Sequence, residues 1–374
     1  MNQHPIKKIS FLATGSEILS GDIHELNMHD FSHEISERGG ILFQHVVCSD
    51  EKDEMVNALR YLLTHSDVVL ITGGLGPTSD DRTRYALAEV LDEELELSEI
   101  ALQHIKDRLA RFNHPFGEGQ KQQALFPKNS TLIINEFGSA CGCYSNKNNK
   151  LIFMLPGPPR ENKPMFAQVV LPELKKFHCF TSRKIYRWLT LGLSEGIIGP
   201  EIDALAQAYS NVATGFRWSY PYLEIKVIDD SNAPITPLLS AIETKLAPRL
   251  ISMHNQSAFE ILTEQLQQFS KPLCVIDTIT ESLLAKSLVD FNSVVFISDK
   301  ETNENTYYFV LQSQLSHPNS PDHFEGTITY SCQGFYGNSL VFEHSLETPY
   351  RGKEIREFAL AYAQWQLGLF LGII

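Results

Sequence analysis

None of the six cysteines of this 374-residue chain forms a CxxC pair, and none stands at zinc-ligand spacing. A disulfide framework and a structural zinc module are therefore both excluded as organising principles. Cys48, Cys141, Cys143, Cys179, Cys274 and Cys332 are expected to be reduced thiols, as in a cytoplasmic protein. Basic residues are also short. The chain has 31 Lys and Arg against 45 Asp and Glu, a formal net charge of -14. That balance argues against a nucleic-acid groove, which is built from clustered cations. No apolar run approaches the roughly 20 residues of a membrane span, and no basic-then-apolar signal segment is visible near Met1. The closing LGLFLGII, Leu367 to Ile374, reads as the end of a packed helix. Neither GxGxxG nor GxxxxGK[ST] follows the strands on which a nucleotide site would be built, which disfavours a Rossmann dehydrogenase and a P-loop NTPase.

What is present is a 43% hydrophobic chain, long enough for two or three domains with real cores. Its most informative stretch is TGGLGPTSDD, Thr72 to Asp81. The apolar run Val68 to Ile71 predicts a strand before it, and Arg82 to Leu91 a helix after it. Gly73, Gly74 and Gly76 permit positive φ and close approach of a ligand, and Pro77 stiffens the turn. Backbone N–H groups beside a helix N-terminus make an anion site, so phosphate is the natural guest. Asp80 and Asp81 would then need a counter-charge, which a divalent metal bridging them to phosphate supplies. The plainer alternative is a tight turn in which Thr78, Ser79, Asp80 or Asp81 caps the helix.

Two more glycine loops follow predicted strands. Ile9 to Leu12 leads into ATGSEILSGDIHELN, with Gly15, Glu17, Gly21 and Asp22, and Leu151 to Leu155 leads into PGPPRENKPMF, Pro156 to Phe166. Open parallel sheets bind ligands at these strand ends. Helices are expected over Asp30 to Arg38 and Glu51 to Thr64, with a strand over Ile41 to Cys48. Such alternation predicts an α/β domain with a mostly parallel sheet covered on both faces. Asp50 either points into the same mouth or caps a helix. His29, His33 and His24 allow a zinc site to be imagined, against the plainer reading of a solvated helix face.

The segment from Ile9 to about Leu174 resembles the N-terminal, molybdopterin-binding-like domain of the CinA family of competence/damage-inducible proteins. GxELLxGxxxNxN is matched by Gly15, Glu17, Ile18, Leu19, Gly21 and Asn27; TGGLGPTxDDxT is matched through Thr83; and LPGxPxExxPMF is matched by Leu155, Pro156, Gly157, Pro159, Glu161, Pro164, Met165 and Phe166. The departures are Glu25 at the first asparagine of NxN, and Gln122, Gln123 and Ala124 at the KQA element, with Lys121 one position early. The GTAPGF element survives as Gly138, Ser139, Ala140, Cys141 and Gly142.

The resemblance implies a three-layer α/β domain over residues 1–170, a small α+β middle domain over 171–252 and an α/β C-terminal domain over 257–374. In the middle domain, Phe216, Trp218, Tyr220 and Tyr222 either stack a base or fill a core. The last domain resembles the family's nicotinamide-nucleotide amidase module. Its AESCTGGLL motif, which carries the serine nucleophile, aligns with Ile276 to Leu284, so Thr278 replaces the serine and Glu281 and Ser282 replace the glycine pair. The TGIAGPGGG element has no counterpart; Gly326, Thr327 and Ile328 look like a retained strand, and Gly352, Ile355, Arg356 and Ala359 like the start of the final helix. A β-branched residue without its glycine turn lacks the rotamer freedom and oxyanion donors of a nucleophile. The module is expected to be inactive, with Ser282 as a displaced nucleophile the alternative.

For the first domain the resemblance implies hydrolysis of ADP-ribose or a related nucleotide diphosphate with a divalent cation (Co, Mn or Mg). Glu17, Asp80 and Asp81 would be catalytic and would hold the metal. Gly73, Gly74 and Gly76 with Thr78 would cradle a phosphate, Asn27, Gly157 and Glu161 would contact the nucleoside or ribose, and Gly15 and Lys121 would also bind substrate. The rivals are a pterin-phosphate or adenylyl-transfer protein and a non-catalytic nucleotide-binding or interaction protein. A homodimer is implied, with no direct nucleic-acid partner and no membrane.

Overall fold

The computed structural model describes residues 7–231, 233–299, 306–316, 326–349 and 354–373; Gly352 lies outside them. The chain divides into two compact units, Met1–Lys184 and Ile185–Ile374.

In the first unit the elements run β1 (Ile9–Thr14), α1 (Ser16–Leu19), α2 (Asn27–Glu37), β2 (Leu42–Cys48), α3 (Lys52–His65), β3 (Val68–Thr72) and α4 (Thr83–Leu91). They continue with β4 (Leu95–Leu97), α5 (Glu99–Arg111), α6 (Glu118–Gln122), β5 (Leu125–Pro127), β6 (Thr131–Ile133), β7 (Gly142–Lys147), β8 (Lys150–Leu155), α7 (Pro159–Met165) and α8 (Leu171–Lys176). The six-stranded sheet has the order β2-β1-β3-β8-β7-β6. Its first four strands are parallel, and β7 and β6 are antiparallel.

Alternation along these strands builds two cores. Ile9, Phe11, Val68, Leu70, Leu151 and Phe153 face Phe31 and Ile35 of α2 and Met165 and Leu174 of the last helices. Leu12, Val69, Ile71, Ile152 and Met154 face Met55, Leu59 and Leu62 of α3, Leu87 and Leu91 of α4, and Ile105 of α5. A period of two thus sends neighbouring residues to opposite faces, and helices at a period of 3.6 cover both. Each such side chain contributes about 1.5–3 kcal/mol by burial, which fixes the register of the strand ends. Between α7 and α8 the helix passes through a π-helical turn, Phe166–Val170, with Phe166 stacked 3.9 Å from Phe31.

The second unit holds β9 (Lys184–Leu191), α9 (Glu195–Ala206), β10 (Val212–Ser219), β11 (Tyr222–Asp229), α10 (Thr236–Leu246) and β12 (Leu250–Ser252), whose strands form a sheet β10-β11-β9-β12. It continues with α11 (Ala258–Gln268), β13 (Leu273–Asp277), α12 (Leu283–Ser287), β14 (Val294–Phe296), β15 (Tyr307–Ser316), β16 (Thr327–Tyr336), β17 (Ser339–Pro349) and α13 (Ile355–Ile373), giving a sheet β14-β13-β15-β16-β17. Ser257, in the polar MHNQS stretch, starts α11 with a capping box to Glu260. The aromatic series divides: Phe216 packs on the core of the four-stranded sheet, Tyr220 and Tyr222 on that of the five-stranded sheet, and Trp218 is 40% exposed. Among the described residues no helix is long and apolar enough to cross a membrane.

Candidate active site at the strand ends of the first unit

A cavity of about 540 Å³ opens at the C-terminal ends of β1, β3 and β8. Its walls come from all three glycine loops, through Glu17, Gly73, Gly74, Gly76, Pro156 and Gly157 among others. The loops meet because Gly73 has no side chain. At φ 100° an added Cβ would overlap the Thr14 carbonyl oxygen, and Gly157 lies alongside, where its own Cβ would make an ordinary 3.6 Å contact with the Gly73 Cα. Gly73 N–H donates to the Leu155 carbonyl (3.2 Å), tying the second loop to the third, and Thr83 Oγ1 donates to the Gly73 carbonyl (2.9 Å).

The loop is braced from behind. Asp81 folds back so that its Oδ1 accepts the Gly76 N–H (2.7 Å), while its Oδ2 accepts the Thr78 N–H (2.9 Å) and hydroxyl (2.5 Å). Helix α4 begins without a side-chain cap, since this carboxylate serves the loop and not the helix. Donors expected to meet phosphate at Gly76 and Thr78 are therefore already taken. Gly74 and Leu75, both in the lining, retain N–H groups without a partner among the described residues. The Thr78 hydroxyl, with the Asp80 backbone N–H and the Arg82 cation, also holds the exposed Asp80 carboxyl below its ordinary value. Beneath the loop lies Arg84, fully buried; its Nη2 and Gln123 Nε2 both donate to the Leu75 carbonyl. Burial pushes this guanidinium down to about 10, and its Nε and Nη1 have no partner among the described residues.

The opposite wall begins at α2. Glu25 Oε1 accepts the Asn27 N–H (2.8 Å) and Oε2 the Met28 N–H (2.9 Å). Asn27 Nδ2 donates to the Gly157 carbonyl (2.8 Å), while its buried Oδ1 has no partner among the described residues. Asn162 Nδ2 reaches the same carbonyl at 3.0 Å. Glu161 is held by Asn135 Nδ2 (2.7 Å), and Asn135 Oδ1 in turn accepts the N–H groups of Phe137 and Gly138.

The cavity gathers Glu17, Asn27, Gly73, Gly74, Gly76, Asp80, Asp81, Gly157 and Glu161 of the residues anticipated from the sequence. Gly15, Thr78 and Lys121 are outside the lining; Lys121 Nζ is turned to Glu118 at 3.9 Å, and the neighbouring Gln122 reaches the Thr78 carbonyl at 2.7 Å. Asp50 does line the mouth, and its Oδ2 accepts the Ser16 N–H (2.7 Å) without capping α3. His24 lines it too, whereas the His29 side chain is 82% exposed. Sequence reading missed Thr14 and Thr72, whose place on the floor follows from strand-end register alone.

Glu17, Glu25, Asp50, Asp80, Asp81 and Glu161 line the cavity, and no Lys or Arg does so among the described residues. Among the described residues no group of three or more His, Cys, Asp or Glu is close enough to hold a metal ion. This donor set fits a hard cation bound through one or two carboxylates together with phosphate oxygens, not an all-protein cage.

In the second unit, the turn after β13 is closed on itself. Asp277 Oδ1 accepts the N–H groups of Ile279 (3.1 Å) and Thr280 (2.9 Å), and the Thr278 hydroxyl donates to the Leu311 carbonyl (2.8 Å). Glu281 and Ser282 take φ of 51° and 71°, the left-handed conformation that glycine favours.

Residues 10–176 match the family model described as "Probable molybdopterin binding domain". This defines the first unit as a domain of that class. A competence-damage inducible protein of Clostridium botulinum (strain Langeland) is 32% identical over 307 residues, 80% of this chain and 75% of its own length. A CinA-like protein of Kosmotoga olearia is 29% identical, over 77% of this chain and 71% of its own. The CinA crystal structure from Thermoplasma acidophilum is similar at 29% identity and a TM-score of 0.41, covering 46% of this chain and 97% of that one. The chain belongs to the CinA-like family of competence-damage inducible proteins.

Proposed function

We propose that the first unit binds a nucleotide diphosphate, of which ADP-ribose is the leading candidate, and hydrolyses its pyrophosphate with a divalent cation. The observation that carries this reading is the carboxylate-rich cavity beside free loop N–H groups: a phosphate can dock on Gly74 and Leu75, yet six carboxylates without a lysine or arginine among the described lining residues call for a cation to arrive with it. Glu17 and Asp80 would hold that cation, with Asp81 beside them; it would neutralise charge on the phosphates and activate water.

The chain's own residues do the rest. Gly74 and Leu75 hold one phosphate, Arg84 and Gln123 keep the loop in place through the Leu75 carbonyl, and Asn27 Oδ1 accepts a hydrogen bond from a ribose hydroxyl. The water oxygen bonds to one phosphorus as the bridging oxygen leaves with the other phosphate. The water proton passes to a cavity carboxylate that does not hold the cation. The match to a molybdopterin-binding class supports a second reading, a pterin phosphate on the same loops.

The second unit is proposed to lack amidase activity, since Asp277 already takes the turn's N–H groups and Thr278 is tied to Leu311. A homodimer is the expected assembly, measurable by light scattering. The deciding experiment offers ADP-ribose, NAD, nicotinamide mononucleotide and a molybdopterin precursor with and without Mg, Mn or Co. AMP and ribose 5-phosphate formed from ADP-ribose only with metal is the expected result. Binding of the pterin alone would favour the second reading.

A further inference from the structure

We propose that Glu25 is a specificity-determining residue, which fills the N-terminus of α2 with the chain's own carboxylate and so rejects ligands that carry a phosphate on the ribose. This rests on the nucleotide reading above. An eleven-residue helix with open N–H groups beside a cavity is an anion site. Here both oxygens of Glu25 are already on the first N–H groups of that helix, at 2.8 and 2.9 Å, and Glu25 lines the cavity. The charge stays where a second phosphate would otherwise find its donors.

A second observation concerns what the ligand does present there. Asn27 is 7% exposed, lines the cavity, and has its amide fixed by the Gly157 carbonyl, which leaves Oδ1 buried and without a partner among the described residues. A buried acceptor of this kind calls for a donor. Carboxylate and amide oxygen together suit a hydroxyl and repel a phosphate, while the unpaired N–H groups of Gly74 and Leu75 suit the phosphate at the other wall. The cavity thus has a direction: phosphate at the β3 loop, sugar hydroxyls at α2. The family pattern has asparagine at this position, which would cap the helix without the charge.

The test uses the full chain and its Glu25→Asn and Glu25→Gln variants, with calorimetric binding of ADP-ribose and 2′-phospho-ADP-ribose in Mg and in its absence. The parent is expected to prefer the unphosphorylated ribose by about tenfold or more, and both variants to lose most of that preference by gaining affinity for 2′-phospho-ADP-ribose, since a charge near a helix N-terminus acts at this scale. Thermal melts of the variants verify folding. A parent that binds both ligands equally, or variants that retain the preference, would overturn the inference while leaving the nucleotide reading intact. Should the parent bind neither nucleotide, that reading falls. Inorganic phosphate then decides the point about Glu25: binding by Glu25→Asn but not by the parent supports it, and binding by neither sinks it.

Discussion

Two turns in this molecule do the same geometric job and have opposite contents. After β3, the chain leaves a parallel strand through Gly73 and Gly74, both at positive φ, and the space above is an open cavity. After β13, it leaves another parallel strand and reaches Glu281 and Ser282, also at positive φ, with side chains where glycine would fit. An aspartate braces each. Asp81 takes Gly76 and Thr78 but leaves Gly74 and Leu75 without a partner among the described residues, whereas Asp277 takes the two successive N–H groups of Ile279 and Thr280. A shared backbone shape is thus no guarantee of a shared site. What separates the two turns is how many donors remain unspent.

The strongest way to break this contrast is Gly73→Ala. A methyl group there meets the Thr14 carbonyl in a conformation alanine avoids, so a loss of about 3 kcal/mol or more is expected in urea unfolding, together with loss of nucleotide binding. Next comes Asp81→Ala, which should reduce pyrophosphatase turnover about a hundredfold while leaving a weaker effect on nucleotide affinity. Parent-like rates would dismiss Asp81 as brace and as metal neighbour alike. In the second turn the sign reverses: Ser282→Gly should stabilise by about 1 kcal/mol, seen as a higher melting temperature, because glycine accepts φ of 71° without cost.

A smaller effect comes from pH. Burial lowers the His45 pKa in the first unit and the His344 pKa in the second, from 6.5. Between the lowered values and 6.5 the unfolded chain binds more protons, so stability is full above about pH 6.5 and falls as pH drops through that window. Urea titrations at stepped pH would reveal a flat response if these rings were free. The smallest effect is expected of Thr278→Ala: ammonia release from nicotinamide mononucleotide should be absent in parent and variant. Release that vanishes with Thr278 would mean the closed turn opens for chemistry.

Much of the first unit was legible because its strands are short, continuous apolar runs whose ends carry glycine, the pattern of parallel strands buried on both faces, as in Val68–Thr72 and Lys150–Leu155. The convergence of the three loops could be anticipated from strand-end rules. The brace could not. Asp81 reads as a helix cap or a metal ligand from its position, and only the loop's folded path puts Gly76 and Thr78 within its reach. Lys121 misled for a similar reason, since one residue on a short helix rotates a side chain by about 100° and turns it from the cavity. Glu25 was visible as a departure, but its role needed the two N–H groups of α2 in place.

The π-helical turn at Phe166–Val170 carries a consequence for tolerance to length change. A turn of this kind holds one residue more than the α-helical repeat around it, so it acts as a slack link between Glu161 at the cavity and Leu174 in the core. Excising the exposed Gln168 would let the segment relax into continuous α-helix with α8 keeping its apolar face inward, whereas the same deletion in α3 would rotate Leu59 and Leu62 out of register. Comparative melts of the two deletions would show whether the fold keeps a spare residue there, available to be lost without moving either end.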